Sequence, residues 1–176
     1  MKKGITLGLV LCLCMVMLAG CGEGQKDKNP LAVYKNGKEV VSVGMTLEEV
    51  EKNIGKGKKD LAEDSKVFSN YEYEGLIIRY SNETVNSFKI IDKDYKDAKG
   101  ISVGTLIEKL KDYYTENEII MNNDIKSEIA KTEPCRVYYD ENYKIINSKE
   151  KNELSIHVIE YQPSLDGNTI ETIYIR

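Results

Sequence analysis

The chain has 176 residues, with 25 basic and 29 acidic side chains and a formal charge of −4. Acids and bases are interspersed without a sustained basic run, which argues against nucleic acid as a partner. One histidine and the one thiol left free in the folded part cannot build a zinc site without distant carboxylates, so no metal and no cofactor is expected.

Lys2 and Lys3 precede an uncharged apolar stretch over residues 5–18, and small residues follow it. This is the order of an export signal. The alternative is an uncleaved membrane helix, but residues 4–20 are marginal against the roughly 20 apolar residues a bilayer core requires. The segment closes with Leu18-Ala19-Gly20-Cys21, which resembles the lipobox of bacterial lipoproteins. That resemblance implies cleavage after residue 20 and a diacylglyceryl thioether on Cys21. A thiol is needed to take the lipid, and small Ala19 and Gly20 let a peptidase reach the bond. Each buried methylene contributes about 0.8 kcal/mol, and two or more acyl chains, palmitate-like in length, hold a protein stably. The expected location is therefore the outer side of the cell membrane, with the bilayer itself as a partner through Cys21.

Sorting the cysteines leaves one in the folded part. Cys12 and Cys14 fall in the discarded signal, Cys21 carries lipid, and only Cys135 remains. The fold must then be held by its hydrophobic core, without a disulfide. Residues 22–30 contain no apolar side chain and read as a solvated tether.

Inside the domain, Val41-Ser42-Val43-Gly44 lays over Ile101-Ser102-Val103-Gly104, and residues 84–90 lay over 169–175. The chain thus divides into a signal (1–20), a lipidated cysteine with tether (21–30), and two repeats (31–97 and 98–176). Asn36-Gly37 marks a small hairpin near the start of the first repeat. Thr46 and Glu49 form a capping box, Met45 and Val50 occupy the staple positions, and Gly55 suits the stop of the helix between them. Residues 67–74, 76–81 and 84–91 then alternate as strands, separated by short turns. The second repeat offers Thr105 and Glu108 as a cap, an extra helix over 123–131, and strands near 136–139, 143–147, 154–162 and 169–176, the last two joined through Asp166-Gly167. A helix leading into a meander buries its apolar stripe on that sheet. The expected class is α+β, with two tandem helix-plus-antiparallel-meander units and helices packed on one face of the sheet.

Residues 43–55 resemble the opening of repeats in the β-lactamase-inhibitor-protein-like fold, also found in small lipoproteins of outer-membrane assembly machinery, where a Gly-Met-Thr-x-x-Glu-Val stretch starts a helix before an antiparallel sheet. The resemblance implies a module that binds proteins through a curved sheet and catalyses nothing.

Cys135 and His157 are the residues a cell-envelope hydrolase would use, and that enzyme is the alternative reading. Alternation puts His157, with Ser155, opposite Leu154, Ile156 and Val158, on a side that faces solvent or a binding surface. Asp92, Asp94 and Asp97 imitate part of a calcium loop, but Lys96 and Asp97 stand where that loop needs an oxygen ligand and a glycine. The segment reads as a charged linker. Gly55-Lys56-Gly57-Lys58-Lys59 follows a helix, where a phosphate loop would precede one. Twelve tyrosines are the remaining signal, and Tyr71, Tyr73, Tyr80 and Tyr161 form the expected binding face for an envelope protein or peptide. A small-ligand receptor feeding a transporter is disfavoured, since such receptors need two larger lobes.

Overall fold

The computed structural model describes residues 28–61, 65, 67–121, 133–147 and 157–176. The signal, Cys21, most of the tether, the helix expected over 123–131 and the start of the strand expected from 154 lie outside the described residues.

The chain enters through β1 (Ala32–Lys35), which pairs antiparallel with β2 (Lys38–Ser42) and with the short β7 (Tyr95–Lys96) in a three-stranded sheet. Asn36 and Gly37 both adopt positive φ at the β1–β2 turn, the backbone that a two-residue hairpin requires. Helix α1 (Leu47–Ile54) follows, and its capping box forms as the spacing predicts: Glu49 N–H donates to Thr46 Oγ1, and Thr46 N–H donates to the Glu49 carboxylate. Val50 is the helix residue driven fully into the core.

A second, eight-stranded antiparallel sheet makes up the body. Its order is β3 (Lys58–Asp60), β4 (Phe68–Tyr73), β5 (Leu76–Ser81), β6 (Thr84–Ile90), β11 (Ile170–Ile175), β10 (His157–Pro163), β9 (Cys135–Tyr139) and β8 (Ile119–Ile120). Strands from the two halves of the chain meet at β6 and β11, where Ile90 faces Ile173 and Phe88 faces Ile175. Paired residues share a face, so the register carries one apolar row across six strands: Tyr73, Leu76, Ile90, Ile173, Tyr161 and Cys135. Burial of each large aliphatic in this row stabilises the fold by about 1.5–3 kcal/mol. The row joins Leu31 just before β1, Val33 and Val41 of the small sheet, Val50 of α1 and Leu110 in a single hydrophobic cluster.

This architecture corrects the expected class. The protein is mostly β, in two antiparallel sheets, and helix-on-meander units do not form. Among the described residues the helices are α1 and one six-residue 3-10 turn (Ile107–Asp112). For the missing second α-helix the cause is visible at the cap. Gly44 N–H bonds Val85 O, Val85 N–H bonds Met45 O, and Leu47 N–H bonds Glu83 O. The same three bonds recur as Gly104 to Ile170, Ile170 to Thr105, and Ile107 to Asn168. Thr105 therefore matches Met45, and the capping position held by Thr46 is held by Leu106, which makes no side-chain cap bond. Without an oxygen there, the first orphan N–H groups have no local acceptor, and the segment tightens to 3-10 geometry.

Three further differences concern strands. Residues 143–147 contribute only an isolated bridge between Ile145 and Tyr139. β3, β7 and β8 are too short to show a period in sequence. Residues 92–97 are no free linker: Tyr95 and Asp97 are both buried, and β7 ties the segment to β1.

Candidate functional site

The four tyrosines expected to form a binding face do share a face, and it is the inward one. Tyr80 and Tyr161 are 1 % and 0 % exposed and Tyr73 is 9 % exposed, while Tyr71 is half-buried against the same core. Tyr73 and Tyr80 hydroxyls meet at 2.9 Å, and the Tyr71 and Tyr80 rings pack edge to face at 5.3 Å. Burial raises the hydroxyl pKa of Tyr80 well above its ordinary value. These rings are core, and the sequence pattern gave their common side without giving which side was wet.

The outward face of the central strands carries the polar side chains. Alternation from Ile78 and Phe88 puts Ile77, Arg79, Ser87 and Lys89 outward, and across the β6–β11 junction Tyr174, Glu160 and Arg136 continue the Lys89 level. Arg79 Nε donates to Asn70 Oδ1 at 3.1 Å, and its guanidinium lies 5.4 Å from the Phe68 ring centre. Lys89 Nζ sits 5.2 Å over Tyr174. Glu160 receives Arg176 at 2.8 Å and Arg136 at 3.4 Å. A shallow groove of about 640 Å³ runs among Arg79, Lys89, Glu160, Tyr174 and Arg176. Alternation in the sequence groups these residues on one side of their strands; that this side is the wet one follows from the small sheet and α1, which cover the other.

A second polar system is internal. Asp97 Oδ1 accepts from Lys99 N–H and Ile101 N–H, and its Oδ2 accepts from the Tyr161 hydroxyl. Tyr161 meets Tyr114 at 2.7 Å, and Tyr114 in turn bonds Tyr139. An ionised carboxylate only accepts, so Tyr161 directs its proton to Asp97 and receives one from Tyr114. Burial, the largest cause, raises the Asp97 pKa, and the hydrogen bonds it accepts oppose that shift. Burial likewise pushes Tyr139 up to about 12. Beside this network a cleft of about 740 Å³ opens between the chain entry at Lys28 and the turn around Tyr143.

The structure does not bring Cys135 and His157 together. Cys135 pairs with Tyr161 and His157 with Tyr139, at opposite ends of the β9–β10 ladder, so they stand on the order of 13 Å apart at the rise of an antiparallel strand. Cys135 is buried, and burial pushes its thiol up to about 11. His157 lies on the same inward side as Ile159 and Tyr161, at its rim, with its ring 5.4 Å from Tyr143. Alternation expects Val158 on the core side and His157 opposite; Val158 is indeed buried and His157 only half-buried, so both sides of β10 are covered at this end. Among the described residues no group of three metal-ligating side chains converges; Asp92 accepts from Asp94 N–H in a local turn. Gly57 lies against the Tyr73 ring, a packing role with no phosphate geometry. No helix among the described residues is long and apolar enough to cross a membrane.

No family model and no curated protein sequence matches the chain. Among solved structures it is similar to the uncharacterized protein yfeY from Escherichia coli, at 15% identity and a TM-score of 0.43, over 78% of this chain and 93% of that one. That likeness is too remote to transfer a property.

Proposed function

We propose that the chain is a lipoprotein held on the outer side of the cell membrane through Cys21, and that it acts as a non-enzymatic module binding an envelope protein or peptide. The observation that carries this reading is the outward face of β5, β6, β11 and β10. Its backbone is fixed by hydrogen bonds to strands on both sides, and it presents Arg79, Lys89, Tyr174 and Arg176 with half-buried Ile77 between them. A rigid platform that mixes an aromatic, arginines and an aliphatic has the composition of protein interfaces. The likeness of residues 43–55 to the β-lactamase-inhibitor-protein-like family points the same way. The separation of Cys135 from His157 favours binding over hydrolysis.

Two measurements test the reading. Cys21→Ala is expected to abolish lipid labelling and release the protein from the membrane; unchanged retention without labelling would mean that a helix anchors it. Cross-linking in intact cells is expected to capture the same envelope partner with the natural chain and with Cys135→Ala, and to lose it with Arg79→Glu/Arg176→Glu. Undiminished capture by the double variant would remove the outward face as the binding surface.

A further inference from the structure

The 740 Å³ cleft opens where the chain leaves the fold toward its N-terminus, and Lys28 itself is part of its wall. We infer that this cleft faces the bilayer and seats the headgroup of an anionic phospholipid. The inference rests on the membrane tether proposed above.

Reach is the first argument. Six residues separate Cys21 from Lys28, and the seven Cα–Cα steps between them span at most about 25 Å when fully extended. The cleft wall begins at the end of that tether, so the domain cannot turn the cleft far from the membrane surface. A site on the opposite side of the domain would carry no such constraint.

Charge is the second. Lys28, Lys99 and Lys144 line the cleft and are all exposed, on a chain whose formal charge is negative. The one carboxylate among the described residues of the wall, Asp97, is 1 % exposed and engages its oxygens with Lys99 N–H, Ile101 N–H and the Tyr161 hydroxyl. It is turned to the core and screened from a ligand. Two of the lysines are held in place: Lys99 Nζ donates to Tyr113 O at 3.1 Å and lies 4.6 Å over the Tyr114 ring, and Lys28 Nζ lies 4.9 Å over Tyr34. Positioned cations lose less freedom when an anion arrives.

The third argument is aromatic. Tyr143 is 46 % exposed at the cleft mouth and takes φ of 60°, a backbone rarely adopted by a bulky residue. The turn imposes that geometry, because Asp140 Oδ1 accepts from both Asn142 N–H and Lys144 N–H while Tyr143 N–H bonds Asp140 O. A strained turn thus holds a tyrosine outward, flanked by lysine. Tyrosine beside lysine is the composition of the membrane–water interface, where the ring sits at headgroup level and the ammonium meets phosphate. Each lysine near an anionic surface strengthens association roughly fivefold.

The test uses the full chain, purified from membranes and reconstituted either in neutral phosphatidylcholine vesicles or in the same vesicles with roughly a quarter phosphatidylglycerol. Residence on neutral vesicles reads the anchor alone. Amide exchange at residues 28–29, 97–99 and 139–145 reads the cleft. Exchange there is expected to slow about threefold or more on the anionic vesicles. That protection should vanish in Lys28→Gln/Lys99→Gln/Lys144→Gln and at high salt, with the melting temperature of this exposed-residue variant unchanged. Equal exchange on both vesicles overturns the inference while leaving the anchor in place. A chain that leaves neutral vesicles but is protected on anionic ones overturns the anchor and keeps the cleft; a chain found on neither overturns both. Protection on neutral vesicles by added soluble glycerol phosphate would assign the cleft to a free phosphate ester and overturn the lipid.

Discussion

Asp97 and Tyr161 lie 64 positions apart in sequence, and the Tyr161 hydroxyl donates to Asp97 Oδ2 across 2.6 Å in the core. Tyr161 belongs to β10 in the large sheet, and Asp97 directly follows β7 of the small sheet. The bond therefore ties the two sheets at a point where both partners are almost without solvent. A buried carboxylate with no donor would be costly, so the turn N–H groups and the tyrosine must arrive together.

Tyr161→Phe removes one donor and leaves Asp97 Oδ2 facing an apolar ring edge. The expected loss is about 1–3 kcal/mol of unfolding free energy, read by urea denaturation. Combining it with Asp97→Asn should cost less than the two single changes added, because both act on one bond. Strict additivity would show that the pair is not coupled.

The same residue predicts a pH dependence with a definite sign. Burial raises the Asp97 pKa in the folded protein above the value of about 3.9 it has when unfolded. Between those two values the native state holds more protons than the unfolded chain, so stability falls as pH rises. The contribution is complete below the unfolded value and is lost as pH climbs through the folded one. Stability profiles of the natural chain and Asp97→Asn are expected to diverge across that window; parallel profiles would place the folded pKa at its ordinary value.

Thr46→Ala should cost about 1 kcal/mol, the usual loss for a helix cap, since Thr46 Oγ1 accepts from Glu49 N–H at 3.2 Å. Thr105→Ala should cost distinctly less, because Thr105 caps nothing and its hydroxyl only accepts from Ser102 N–H at 3.4 Å. Equal losses on thermal melting would contradict the cap difference between the two segments.

The contrast between those threonines shows what the sequence made legible. The first helix, the Asn36-Gly37 turn and strands β4, β5 and β6 rest on local chemistry, and each stands within a residue or so of its expected place. The fold class did not follow, because the β6–β11 pairing that merges the halves is a long-range choice with no local signature. The site was half legible for a similar reason. Alternation put Tyr71 and Tyr73 on one side of a strand, yet only the small sheet and α1 decide which side is covered. The acidic neighbours Asp92 and Asp94 suggest solvent for Asp97, while its role depends on a tyrosine far along the chain.

Gly57→Ala probes the packing beneath β4. An added Cβ would come 2.5 Å from Tyr73 Cζ, and the ring has little room to yield while its hydroxyl is bonded to Tyr80. Overpacking of this kind costs about 1–3 kcal/mol. Gly44→Ala meets nothing within 4 Å and suffers only from its positive φ; its cost is expected to be about 1–2 kcal/mol. A tolerated Gly57→Ala would mean that β4 shifts relative to the α1–β3 connection.

Cys135 offers a direct check on the binding reading, because a hydrolase needs an accessible thiolate there. With its thiol pushed up to about 11 by burial, the ionised fraction at pH 8 is about a thousandth. An ordinary cysteine with a pKa near 8.5 is about one quarter ionised at that pH. Ionisation alone therefore slows alkylation about 200-fold, and closure of the core around β9 slows it further. Labelling at Cys135, followed by mass spectrometry, is expected to be negligible in the folded protein and rapid in urea. Fast labelling of the folded protein would show β9 open to solvent. The Cys135–His157 hydrolase would then regain the access that burial denies it, although the span of the β9–β10 ladder between the two residues would still have to be closed.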